Sequence, residues 1–168
     1  MSSKTRRKTY RAAHKLSAAR LASVQALYEI AISEKKPEIV INTFVRKYWR
    51  SVTLRDPDTK PGFGGKARLP NPDHTFLKEV VLGVTINKKN YEKKIQSVLE
   101  NNWTINRLDI LMGVLLKSVT YEFEEKKEIP IGVIVGEYTD LAHAFFDDKD
   151  AKFATRIINL LAEQIRKA

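Results

Sequence analysis

Apolar residues recur along this chain at intervals of three and four, the period of a helix with one buried face. Leu21, Val24, Leu27 (beside Tyr28) and Ala31 set such a stripe from Ser17 to about Ile32, and the Ser17 hydroxyl is placed to cap that helix. Pro37 suits the first turn of a second helix, where a missing amide costs no intrahelical bond, with Ile41, Phe44, Val45 and Tyr48 on its inner face. From Asp73, a capping residue, the stripe continues through Phe76, Leu77, Val80, Val81, Val84, Tyr91, Ile95 and Leu99 to about Glu100, with a break near Asn87 to Asn90. Thr104 is expected to cap the next helix. Its broad apolar face of Leu108, Leu111, Met112, Leu115, Val119 and Phe123 marks it as the central one. Pro130 opens another helix, with Ile134, Tyr138, Leu141 and Phe145 inward. Asp147 or Asp148 begins the last, which buries Phe153, Ile157, Leu160, Leu161 and Ile165. There is no strand alternation of useful length and no internal repeat. The expected architecture is all-α, about seven helices in a bundle-like unit.

Two stretches interrupt the periodicity. In residues 52–72, Pro57, Pro61, Gly62, Gly64, Gly65, Pro70 and Pro72 stand among charges, which reads as an exposed, mobile loop. Residues 1–16 carry Lys4, Arg6, Arg7, Lys8, Arg11 and Lys15, and the first acidic residue of the chain is Glu29. With no neighbouring carboxylate to neutralise it, this segment is expected to be a flexible basic arm ahead of a helical domain at 17–168.

Composition sharpens the picture in three respects. Of 168 residues, 43% are hydrophobic, enough for a real core, while the formal net charge of +10 attracts polyanions: RNA, DNA or an anionic membrane. The absence of cysteine excludes disulfides, thiol catalysis and cysteine zinc sites. Apolar runs such as Ile129 to Val135 are too short to span a bilayer, and no apolar run follows the basic N-terminus as in a signal peptide. The chain is therefore expected to be soluble and cytoplasmic.

Catalytic chemistry finds little support. His14, His74 and His143 are scattered, without metal spacing. Gly62-Phe63-Gly64-Gly65-Lys66 suggests a phosphate loop, but Lys60 stands where its first glycine belongs and Ala67 where a Ser or Thr would hold magnesium. Asp147, Asp148 and Asp150 suit a helix start better than a calcium loop. No nucleophile–base pair is visible, so neither an enzyme nor a cofactor is expected.

Several short motifs, in order, carry more information than periodicity. The segment Ser17 to Tyr28, containing Ala19-Arg20 and Gln25-Ala26-Leu27-Tyr28, resembles the A-R-x-x-A-x-Q-A-L-Y opening helix of the NusB antitermination family. Phe76 to Val84 is similar to its F-R-D-L-V-x-G-V segment, Tyr121-Glu122 to its Y-E, and Ile129-Pro130 to its I/V-P. Val135-Gly136-Glu137-Tyr138 through Leu141-Ala142 and Phe145 resembles I-N-E-x-x-x-L-A-x-x-F, and Lys152-Phe153 its K-F. The resemblance runs from about Ser17 to Ile165. It implies an N-terminal and a C-terminal helical subdomain packed together. It also implies binding of single-stranded boxA-type RNA together with the small-subunit ribosomal protein NusE, in support of RNA polymerase on ribosomal RNA operons. Some members of the family dimerise, so a homodimer stays open.

On this reading, phosphate neutralisation supplies affinity and makes it salt-dependent, while stacking and base-edge hydrogen bonds supply preference. Arg11, Lys15 and Arg20 are the expected cations of the opening helix, with Lys149, Lys152 and Arg156 extending the basic surface. Tyr28 and Phe153 are candidate stacking platforms, at ~1–3 kcal/mol per base, and Gln25 a candidate base-edge contact. Tyr28 and Phe153 also sit at helical spacing among apolar residues, which would serve equally for a core. The chain departs from the family pattern in three places. Leu16-Ser17-Ala18 replaces an arginine-rich cluster, Gly136 an asparagine, and Thr155-Arg156 an Asn-Gly pair. These departures leave a second reading open, a helical protein-interaction module without boxA specificity.

Overall fold

The computed structural model describes residues 3–44, 53–54, 67–68, 71–100 and 102–167, with 3–13 and the two pairs 53–54 and 67–68 as backbone only. Within them the chain forms α1 (Ser3–Ser33), α2 (Pro37–Thr43), β1 (Thr53–Leu54), β2 (Ala67–Arg68), α3 (His74–Ile86), α4 (Lys88–Val98), α5 (Ile110–Glu125), α6 (Ile131–Phe145) and α7 (Asp148–Arg166). The all-α expectation of about seven helices holds. The β residues are a single antiparallel ladder, Thr53 opposite Arg68 and Leu54 opposite Ala67. The rest of the loop predicted at 52–72 lies outside the described residues, apart from Asn71 and a buried Pro72. So do Val45 and Tyr48, predicted for the inner face of α2.

Local chemistry explains four of the helix starts. Asp73 accepts from the Phe76 amide at 2.9 Å and Asp147 from the Asp150 amide at 2.9 Å, each satisfying a first-turn donor. Pro37 occupies the first turn of α2 as expected. Two predicted caps are corrected. Thr104 makes no capping bond; a 3-10 turn, Ile105–Arg107, follows it, and Asp109 opens α5 by accepting from the Leu111 amide at 2.8 Å. Ser17 lies inside α1, which begins at Ser3, so the backbone of the basic segment continues the helix rather than standing outside it. The Ser17 hydroxyl is committed to a distant partner, donating to Glu137 Oε1 at 3.0 Å.

The core sits around α5, which packs against α1, α3, α4, α6 and α7. From Met112 to Phe123 it is buried on nearly every side, as its predicted central place requires. α1 is covered almost as fully between Ala18 and Leu27, where small alanines let its neighbours approach closely. At the end of α7, Arg166 Nη2 donates to the carbonyls of Lys126 (2.8 Å) and Ile129 (3.3 Å), fastening the α5–α6 turn.

Gly136, the departure on α6, is exposed, and a Cβ there would meet nothing within 4 Å. The helix therefore carries the entropic cost of glycine with no packing gain. Gly136→Ala is expected to raise the unfolding free energy by ~1 kcal/mol, read as a higher urea midpoint at unchanged m-value.

Candidate nucleic-acid interface

The sequence-predicted residues do not form one cluster. Lys15 is exposed near the start of the well-packed part of α1, and Tyr28 lies thirteen positions further on, roughly 20 Å along the axis. Arg11 is on the same helix, but its side chain lies outside the described residues.

Tyr28, Lys149 and Phe153 do come together. They line a groove of about 540 Å³ between the C-terminal half of α1, the α4–α5 connection, the start of α5, and the α6–α7 corner. Tyr28 is 38% exposed, so it is a surface ring rather than core. Lys149, Lys152 and Arg156 are exposed on α7, and Lys149, Phe153 and Arg156 recur at helical spacing along one side of it. Arg156 pairs with Glu100 at 2.5 Å, with both side chains more than 60% exposed.

Three further groove residues, Trp103, Arg107 and Phe146, were not singled out from the sequence. Trp103 and Phe153 have ring centroids 5.6 Å apart, tilted by 42°. The Arg107 guanidinium lies 5.7 Å from the Trp103 ring centroid and donates through Nη1 to the Asn102 carbonyl at 2.9 Å. Gln96 of α4 fixes the connection from both sides: its Nε2 donates to the Trp103 carbonyl (3.0 Å) and its Oε1 accepts from the Ile105 amide (2.9 Å). The available signal was a tryptophan on a polar connection between helices, four residues before an arginine.

One predicted contact is corrected and a second is narrowed. Arg20 is not a surface cation. It is 2% exposed and bonded to Glu122 by Nε (2.9 and 3.1 Å) and Nη2 (2.9 Å), with Glu137 at 3.4 Å and Phe76 beneath the guanidinium at 5.3 Å. Burial by itself would lower the Arg20 pKa; bonding to Glu122, joined by the charge of Glu137, outweighs it and leaves the pKa above the ordinary arginine value. Beside this network Tyr138 is wholly buried, and burial followed by the charge of Glu122 holds its phenol well above the usual range. Gln25 is half-buried and its Oε1 is buried, without a hydrogen-bond partner among the described residues, so that acceptor is not presented to a base.

No helix among the described residues is long and apolar enough to cross a membrane. A sequence model of the NusB family matches residues 17–161. The chain is 30% identical over 167 residues to the transcription antitermination protein NusB of Rhizobium rhizogenes, covering 99% of this chain and 97% of the relative. It is 32% identical over 151 residues to the protein of that name from Sphingopyxis alaskensis, covering 90% and 94%. Its fold is similar to a chain of the crystal structure of antitermination factors NusB and NusE in complex with dsRNA. The TM-score is 0.67 at 16% identity, over 88% of this chain and 96% of that one, and the likeness is one of fold alone.

Proposed function

The chain belongs to the NusB family, and on that premise we propose that it is a non-enzymatic transcription antitermination factor. It binds boxA-type single-stranded RNA, together with a small-subunit ribosomal protein of the NusE kind, and acts with elongating RNA polymerase on ribosomal RNA operons. The observation that carries the reading is the groove that joins Tyr28 and Phe153, two aromatic rings, to Lys149, with the exposed cations Lys152 and Arg156 beside it on α7. Unpaired bases stack on such rings, while phosphates collect on the cations around them. The net charge of +10 supplies the long-range attraction. With Arg20 withdrawn into the core, the predicted cations that stand exposed among the described residues are Lys15 on α1 and Lys149, Lys152 and Arg156 on α7.

The test is a titration of a boxA-type RNA and a scrambled RNA of equal length, with and without the NusE partner, over a range of salt. Preference for boxA that grows with the partner is the expected result. Equal binding of both RNAs, falling steeply with salt, would leave only a basic surface. Tight binding of the ribosomal protein with no RNA affinity would favour the interaction-module reading, which the departures at Gly136, Thr155 and Arg156 leave open.

Arg156 gives a finer check. Its ion pair with Glu100 is exposed at both ends and is worth little, so the guanidinium can exchange it for phosphate. Arg156→Gly is expected to flatten the slope of log K against log salt by about 0.7, one single-strand phosphate. An unchanged slope would remove Arg156 from the interface.

A further inference from the structure

We propose that Trp103, held in place by Arg107 and Gln96, is a base-stacking residue of this groove and receives one unpaired nucleobase; the proposal rests on the RNA-binding reading above. Three observations converge on it. First, Trp103 is 43% exposed although it lies against Phe153 in a groove that also contains Tyr28, Phe145 and Phe146. A large apolar ring left this open while rings surround it is suited to a flat aromatic guest.

Second, the groove is electrically balanced. Its lining contains two cations, Arg107 and Lys149, and two carboxylates, Asp109 and Asp150. Asp109 is already engaged in capping α5. The carboxylates disfavour a phosphate inside the groove, whereas a neutral ring meets no such cost. The phosphates flanking that ring find Lys149 in the lining and Lys152 and Arg156 along α7. A chain that alternates neutral aromatic rings with anions matches this arrangement. An aromatic side chain of a partner protein would leave the α7 cations without a role.

Third, the platform is pre-organised. The backbone of Trp103 is pinned by Gln96 through the Trp103 carbonyl and the Ile105 amide, and Arg107 is anchored on the Asn102 carbonyl beside the indole. A ring fixed before binding loses little freedom on binding, so more of the stacking energy appears as affinity.

The experiment is an abasic scan with a boxA-type RNA, replacing one nucleotide at a time, against the full-length protein and its Trp103→Ala and Trp103→Phe variants. In the parent protein, one abasic position is expected to weaken binding by about 5- to 150-fold. Trp103→Ala should cost a comparable factor on the intact RNA, and the same abasic position should then cost nothing more. Trp103→Phe should keep most of the affinity, which separates stacking from disturbance of the connection. A second readout needs no loss of affinity. The chain has two tryptophans, so Trp49→Phe leaves Trp103 as the sole indole emitter, and its fluorescence should be quenched as the RNA is added. Parent-level RNA binding by Trp103→Ala, additive losses at every abasic position, or unquenched emission at saturation would each overturn the proposal while leaving RNA binding intact. Loss of NusE-type protein binding with RNA binding retained would reassign the groove to a protein side chain. Failure of the parent protein to bind the RNA would overturn the underlying function as well.

Discussion

Arg20→Met is expected to lose about 3–5 kcal/mol of unfolding free energy, read as a large fall in the urea midpoint. The reason is what the substitution leaves behind. Glu122 is fully buried in the last turn of α5, and its charge is matched there by the Arg20 side chain at 2.9–3.1 Å. Without the guanidinium, a carboxylate sits in the core with no cation beside it, or must take up a proton. The double variant Arg20→Met, Glu122→Leu removes both charges and should recover most of the loss, because a buried pair replaced by apolar residues of similar volume is often neutral. Glu137 is part-exposed and keeps its bond from Ser17, so the third member tolerates the change. The same cycle decides what Arg20 is for. If it holds α1 to α5 and α6, RNA affinity returns along with stability in the double variant. Stability restored without affinity would overturn that structural role.

Arg20 also shows where sequence reasoning runs out. Its place in the opening-helix motif and its charge argued for a surface contact. The residues that claim it are 102 and 117 positions away, at Glu122 and Glu137, and both were noticed only as parts of separate motifs. Local signals were read well where the physics is local. Asp73 and Asp147 mark helix starts because the amides they cap lie within one turn, and Pro37 because its missing amide is one the first turn leaves unpaired. Ser17 misled because its hydroxyl reaches across to α6, and Thr104 because a 3-10 turn and Asp109 intervene before α5. The break between α3 and α4 was legible in the run Asn87 to Asn90, and Asn87 separates the two helices. Of the candidate site, residue type and motif could name Tyr28 and Phe153 as platforms and Lys149 as a cation, but could not bring them together. Their meeting depends on how the α6–α7 corner folds back toward α1, and Trp103 joins them on a connection with no period to read.

The second large effect is expected at Gly83, and it runs against helix propensity. On α3 this glycine faces the Tyr121 ring of α5. A Cβ at Gly83 would fall inside the contact distance of Tyr121 Cε2, 2.6 Å from Cδ2 and 3.0 Å from Cζ. The ring has little room to retreat, since Tyr121 is buried and stands edge-on to Tyr91, centroids 6.5 Å apart. Gly83→Ala gains ~1 kcal/mol from backbone entropy but forces overpacking, which costs typically 1–3 kcal/mol and occasionally more. A net loss is therefore expected, opposite in sign to the gain at Gly136, although both substitutions place the same methyl group within a helix. Shortening the opposing ring is the control: Tyr121→Ala costs stability alone, but Gly83→Ala made in that background should cost nothing or stabilise. Equal effects of Gly83→Ala in the two backgrounds, measured by urea denaturation, would mean that α3 and α5 are not in contact through this pair. The glycine of the F-R-D-L-V-x-G-V segment then has a physical reason in this chain: it is the point at which two core helices approach too closely for a side chain.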